Sequence, residues 1–148
     1  MSTLEHEFIA HATDDRVQTL LLGRKTKSAN AQVFVGRRLP LSSVERMYKK
    51  LGVKKSKVLG LISMSEETYR QRRETQQLLS AAESARLYRL ASIETQASDV
   101  FEDEAMATDW LKTPNRALNA RPIDLLDSEV GAERVKRLLT RIEYGVYS

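Results

Sequence analysis

Residues 110–148 read WLKTPNRALNARPIDLLDSEVGAERVKRLLTRIEYGVYS and carry the strongest fold signals of the chain. Pro114 ends a preceding helical segment, because proline disfavours helical backbone in the residue before it. Pro122 can open a short helix, where its missing N–H is no loss. From about residue 128 to 144 the apolar residues fall on one side of a helix, and Gly145 stands where a left-handed cap is expected. The pattern predicts a small helical unit.

Helix start signals are also frequent upstream, whereas strand signals are scarce. Ser-x-x-Glu capping boxes begin at Ser42, Ser63 and Ser80, and each can satisfy two backbone donors at a helix start. Together with apolar periodicity they predict helices at about 42–51, 54–62, 64–75, 80–97 and 102–112. The predicted fold class is therefore all-α.

The first forty residues carry weaker signals. Residues 14–22 have Val17, Leu20 and Leu21 on one side of a possible helix, and residues 33–35 suit a short extended segment. Residues 23–32, GRKTKSANAQ, lack an apolar period and indicate a flexible linker. We therefore expect a partly flexible extension over residues 1–40, a first domain over 41–97 and a second domain over 98–148.

Charge is unevenly distributed along the chain, whose net charge is +4. Residues 41–98 contain eleven Lys and Arg against six Asp and Glu, whereas residues 99–148 contain seven against ten. A basic segment is a candidate for contact with a phosphate backbone, although a solvated charged face explains such charges about as often. The contrast predicts two surfaces that meet two different partners.

The basic middle of the chain has the arrangement of a helix-turn-helix, in which a support helix and a tight turn precede a polar second helix. Residues 54–62 supply the support helix, Ser63 and Met64 the turn, and residues 65–75, SEETYRQRRET, the second helix. Met64 and Tyr69 are the expected apolar anchors of that helix. Ser63 stands where many such turns have glycine, so the turn must avoid a positive φ or strain the serine.

The candidate DNA contacts are side chains that pair with bases or phosphates. They are Lys54, Lys55, Lys57, Thr68, Gln71, Arg72 and Arg73. For the arginines alone a solvated helix face is the simpler interpretation, but the lysines just before them favour a phosphate-binding cluster.

Two motifs give the chain a resemblance to the Xre/MbcA/ParS antitoxin family. Residues 78–91, LLSAAESARLYRLA, resemble the Ser-x-x-Glu-Ser-x-Arg-Leu-x-Arg-Leu-Ala pattern of its Xre-like helix-turn-helix. Residues 110–115 and the Arg-Pro turn at residues 121–122 resemble the second domain of the family. Many relatives have glycines before that arginine, whereas this chain has Asn119 and Ala120, and asparagine tolerates left-handed backbone. The resemblance implies an N-terminal Xre-like helix-turn-helix bundle followed by a small helical toxin-binding domain.

The same resemblance implies a function. The chain would be the antitoxin of a type II toxin–antitoxin pair, neutralising a RES-domain, NAD-degrading toxin and repressing its own operon. Antitoxin and toxin would form a complex containing an antitoxin homodimer, with the last helix and tail at the active-site cleft of the toxin. The implied toxin contacts are Arg137, Arg141, Glu143, Tyr144, Gly145, Val146, Tyr147 and Ser148. The alternative is a stand-alone helix-turn-helix regulator whose second domain only mediates dimerisation.

The residue inventory argues against an enzyme and predicts neither a cofactor nor a metal. The chain contains no cysteine, and its two histidines, His6 and His11, are spaced poorly for ligands on one helix face. It has no glycine-rich phosphate loop. No run approaches the ~20 apolar residues of a membrane span, and the start lacks the pattern of a signal peptide. We therefore expect a cytoplasmic inhibitor.

Overall fold

The computed structural model describes residues 15–23 and 38–145, and the regular elements in these ranges are helices. In chain order they are α1 (residues 15–22), α2 (Ser42–Leu51), α3 (Lys55–Leu61), α4 (Glu66–Glu74), α5 (Ala81–Phe101), α6 (Glu104–Lys112), a 3-10 helix (Pro122–Leu125) and α7 (Glu129–Glu143). The predicted all-α class is confirmed. Residues 24–32 of the predicted linker and the predicted extended segment at 33–35 lie outside the described residues.

The helix starts show which capping predictions hold. Ser80 and Glu83 form the predicted reciprocal box, with the Ser80 N–H 2.7 Å from Glu83 Oε1 and the Glu83 N–H 3.1 Å from Ser80 Oγ. The box predicted at Ser42 is wrong, because Leu41 precedes α2 without a side-chain cap. The box predicted at Ser63 is also wrong, because α4 begins after Ser65, whose hydroxyl accepts the N–H of Thr68 at 3.0 Å.

α5 extends beyond its predicted end at residue 97. The Ser98 hydroxyl donates to Glu94 Oε1 at 2.9 Å, so this serine bonds within the helix instead of beginning a new one. The chain leaves α5 at Glu102, which has a left-handed φ of 53°. α6 then starts behind Asp103, whose carboxylate accepts the Met106 N–H at 2.9 Å.

The chain divides into two compact units, Met1–Ser92 and Ile93–Ser148, and the division falls within α5. In the described part of the first unit, the core contains Val17 and Leu21 of α1 together with Met47, Leu59 and Leu87. The predicted helix at residues 14–22 is thus confirmed over 15–22. The buried Ser43 hydroxyl donates to the Leu21 carbonyl at 2.6 Å and joins α1 to α2. The domain boundaries at 40/41 and 97/98 stay predictions.

The second unit is described by its own core. Buried apolar side chains come from every helix of this unit and include Ile93, Leu111, Ile123, Val135 and Leu139. Trp110 packs against Phe101, with ring centroids 5.6 Å apart. The turn before the 3-10 helix places Asn119 at a φ of 54°, and the Asn115 N–H donates to the Ala120 carbonyl at 3.0 Å. The left-handed backbone predicted to be possible at Asn119 is confirmed.

Candidate functional site

The helix-turn-helix is formed by α3, a left-handed turn and α4. Ser63 has a φ of 60°, and the Met64 N–H closes the turn by donating to the Leu59 carbonyl at 2.9 Å. Of the two possibilities predicted for Ser63, the structure shows the strained one, since a side chain disfavours this conformation. Arg86 of α5 donates to the Ile62 carbonyl at 3.3 Å and satisfies another acceptor at the end of α3.

Two apolar side chains anchor α4, as predicted. Met64 is 6% exposed and Tyr69 is 7% exposed. Burial raises the pKa of the Tyr69 hydroxyl. The ammonium of Lys55 lies 5.2 Å from the centroid of the Tyr69 ring, so a lysine of α3 also packs against the anchor of α4.

The residues exposed on α4 differ from the DNA contacts that residue type predicts. Glu67, Arg70, Gln71 and Glu74 are exposed and lie mainly on the side of α4 turned away from Tyr69. Arg73 is exposed as well, in an open groove that Lys55, Arg70 and three glutamates also line. Arg70 is absent from the predicted DNA contacts, although its angular position relative to Tyr69 on a helical wheel places it on this face.

Arg72 is placed differently from Arg70 and Arg73. Its guanidinium forms an ion pair with Glu83 of the Ser80 capping box, and both side chains are largely buried. Burial would raise the pKa of Glu83, but the hydrogen bonds from Ser80 and Arg72 together hold it below its ordinary value. The ion pair fastens α4 to the start of α5, so Arg72 is occupied within the first unit.

The remaining predicted DNA contacts lie on these two helices or directly before α3. Lys54 precedes α3 and is exposed, whereas Lys55 and Lys57 are half-buried. Thr68 is half-buried and its Oγ1 accepts a hydrogen bond from the Ser65 hydroxyl at 2.8 Å. The structure therefore places the predicted residues on α3 and α4, but only Lys54, Gln71 and Arg73 among them are exposed.

The second candidate site is the outward side of α7. The helix begins behind Ser128, whose hydroxyl accepts the Gly131 N–H at 3.0 Å, and it buries Val135, Leu138 and Leu139. The predicted toxin contacts that the structure describes are all exposed, namely Arg137, Arg141, Glu143, Tyr144 and Gly145. The other three, Val146, Tyr147 and Ser148, lie outside the described residues.

α7 ends at a glycine with left-handed backbone. Gly145 has a φ of 68°, which confirms the left-handed conformation predicted for it. Tyr144, directly before it, is 66% exposed although tyrosine is a large, mainly apolar side chain. A tyrosine ring exposed at a helix end is typical of the side chains that anchor protein interfaces.

Neither a metal cluster nor a membrane helix occurs in the described ranges. Within residues 15–23 and 38–145, the His, Asp and Glu side chains form no group of three or more that could hold a metal ion. Within the same ranges, no helix combines the length and the apolar character that crossing a bilayer requires.

Comparison with protein families identifies both parts of the chain. Residues 34–92 match the antitoxin Xre-like helix-turn-helix domain. Residues 96–145 match the antitoxin Xre/MbcA/ParS C-terminal toxin-binding domain.

Two relatives are similar over most of this length. Antitoxin Xre of Photorhabdus laumondii subsp. laumondii is 31% identical over 112 residues, which cover 74% of this chain and 76% of the relative. Antitoxin Xre of Yersinia enterocolitica serotype O:8 / biotype 1B is 32% identical over 98 residues, covering 65% and 66% respectively. With an Xre-like helix-turn-helix domain followed by a toxin-binding domain, this chain belongs to the Xre antitoxin family.

Proposed function

We propose that this antitoxin neutralises a RES-domain, NAD-degrading toxin by covering its active site with α7 and residues 143–148. The observation that carries the proposal is Tyr144, a ring left 66% exposed where α7 ends. Gly145, the next residue, has a left-handed φ of 68°, and an added Cβ at this glycine would meet no atom within 4 Å. The end of α7 thus has an anchor and open space around it, which suits insertion into a partner cleft.

Inhibition in this proposal is steric. The antitoxin contributes no reacting group; residues 143–148 occupy the cleft that the nucleotide would enter, while α7 supports them. This arrangement predicts that binding and inhibition are separable, because a variant lacking the inserted residues retains the supporting helix.

Deleting residues 145–148 is expected to abolish protection of growth when antitoxin and toxin are co-expressed. The deletion leaves the described core of the second unit in place, so the thermal unfolding midpoint should stay close to that of the full chain. Met106→Ala serves as a control, because Met106 is another exposed apolar side chain of this unit, at 56% exposure. If the deletion variant still protects growth fully, the plugging mechanism is wrong even where toxin binding survives.

We also propose that the antitoxin represses its own operon through α4, as a homodimer within a larger toxin–antitoxin complex. Support comes from the exposed arginines of α4 and from the basic character of the surrounding residues. Residues 38–92 contain twelve Lys and Arg against five Asp and Glu. Arginine can grip guanine with two hydrogen bonds, and lysines can neutralise phosphates. Mass measurement of the complex purified with the neighbouring gene product tests the homodimer directly.

Arg70→Ala combined with Arg73→Ala is expected to weaken operator binding by about tenfold or more, because each lost contact costs ~1–3 kcal/mol when it reads a base. A lost phosphate contact also lowers the slope of log affinity against log salt by about 1. The measurement is a titration of labelled operator at several salt concentrations. Arg116→Ala, an exposed arginine of the second unit, is the matched control. Unchanged affinity and slope in the double variant would remove α4 as the recognition helix.

A further inference from the structure

α7 carries an exposed stripe of side chains that extends beyond the predicted toxin contacts. The stripe consists of Val130, Arg134, Arg137, Arg141 and Tyr144. Successive members are four, three, four and three residues apart, so they share one face of the helix. This face is opposite the one that buries Val135 and Leu139. The stripe is about 21 Å long at the helical rise per residue.

The side chains of the stripe are available to a partner. Val130 is 75% exposed and Tyr144 is 66% exposed. Within the described part of the chain, Arg137 and Arg141 form no ion pair and donate no hydrogen bond. Arg134 donates one long bond, 3.4 Å, to the Leu118 carbonyl. A row of arginines without carboxylate partners retains its full charge for an incoming surface.

The stripe is basic although the sequence around it is acidic overall. Residues 99–148 contain seven Lys and Arg against ten Asp and Glu, and three of the seven belong to the stripe. The nearby Glu133 pairs with Lys136 at 3.8 Å instead of with a stripe arginine. Three arginines therefore share one helix face within a segment whose total charge is negative.

The two ends of the stripe decide which class of macromolecule fits it. Arginines alone suit a phosphate backbone as well as carboxylates. A valine and a tyrosine exposed at the two ends gain little from phosphates, whereas they fill apolar pockets in a protein surface. Arginine and tyrosine are also the side chains enriched among interface hot spots. The stripe thus fits a protein that presents carboxylates between two apolar contacts.

We propose that the stripe docks on an acidic strip of the toxin, with toxin carboxylates facing Arg137 and Arg141, an apolar toxin pocket receiving Val130, and the rim of the active-site cleft receiving Tyr144. This proposal rests on the proposed function and specifies the chemistry of the partner surface. Opposite charges on the two surfaces accelerate association, and salt screens that acceleration. The stripe governs capture of the toxin, while residues 143–148 block its cleft.

The test uses full-length antitoxin and the purified product of the adjacent toxin gene. Arg137→Glu combined with Arg141→Glu is expected to lower the association rate constant about tenfold at low salt and to remove most of its salt dependence. Arg116→Glu reverses an exposed charge of the same unit outside the stripe and should leave the rate close to wild type. Substituting arginines for toxin carboxylates should restore association of the double variant.

The outcomes separate this proposal from the proposed function. If the double variant captures the toxin at the wild-type rate with the same salt dependence, the acidic-strip proposal is overturned while toxin binding stands. If the double variant loses operator affinity and keeps its toxin association rate, the stripe is a nucleic-acid surface and the proposal is also overturned. If wild-type antitoxin does not bind the toxin at all, the proposed function fails as well. Thermal unfolding checks that the variants fold. Their unfolding midpoints should stay close to that of wild type, because both substituted side chains are exposed.

Discussion

Replacing Gly131 by alanine is expected to destabilise the second unit by about 2 kcal/mol or more, because it overpacks a position without free space. A Cβ built on Gly131 would collide with the carbonyl oxygen of Leu125 and lie 2.9 Å from its carbonyl carbon. These are backbone atoms, which cannot turn aside as the end of a side chain can. Leu125 ends the 3-10 helix that buries Pro122 and Ile123, so its displacement would disturb the core beneath α7.

The measurement for Gly131→Ala is urea unfolding compared with wild type. Gly60→Ala is the matched control, since Gly60 lies inside α3 and an added Cβ meets no atom within 4 Å. This control should stabilise the protein by about 0.5–1 kcal/mol, because alanine is the better helix former. Gly131→Ala should also slow toxin capture, since it shifts the start of α7. A Gly131→Ala variant as stable as wild type would show that the close approach of the two backbone segments is absent.

Local signals explain where the sequence predicted the fold well. The Ser80 capping box could be predicted because its two hydrogen bonds join residues only three positions apart in the sequence. At Ser63 the same local pattern failed, because this residue adopts the left-handed turn and Ser65 caps α4 instead. A pattern of four residues does not reveal which of two nearby serines the turn will use.

The candidate sites were less predictable because they depend on partners outside the motif. Arg72 and Arg73 are adjacent and of one type, yet Arg72 pairs with Glu83 eleven residues further on and Arg73 is exposed. Residue type alone predicts both arginines as DNA contacts, and the predicted contacts do not include Arg70. The buried anchor Tyr69 was predicted, so the angular position of Arg70 was available from the sequence. The close approach of Gly131 to Leu125 could not be predicted from the sequence, because it depends on how the backbone of the preceding turn folds.

Replacing Arg72 by alanine is expected to cost about 1–3 kcal/mol of stability, because it leaves a buried carboxylate with one charged partner fewer. Glu83 is 7% exposed, and its carboxylate would keep only its hydrogen bonding with Ser80, whose backbone N–H donates to it. α4 would lose its attachment to α5, so operator affinity should fall without the change in salt slope that loss of a phosphate contact brings. Arg73→Ala, at an exposed position of the same helix, should change stability by about 0.5 kcal/mol or less. A reduced salt slope for Arg72→Ala would instead identify Arg72 as a direct DNA contact.

The same ion pair predicts how stability depends on pH. Burial raises the pKa of Glu83, but hydrogen bonds from Ser80 and Arg72 outweigh it, and the net pKa is below the ordinary value. The ionised carboxylate therefore stabilises the folded state fully above the ordinary carboxyl pKa, and this contribution is lost as pH falls through the folded pKa. Glu83→Gln removes the titrating group while keeping an acceptor for Ser80. The stability difference between wild type and Glu83→Gln, from urea unfolding between about pH 7 and about pH 3, should be largest at neutral pH and should shrink on acidification. A constant difference over this range would mean that the ionised Glu83 does not fasten α4 to α5, and Arg72 would then have to be reconsidered as a residue that reads DNA.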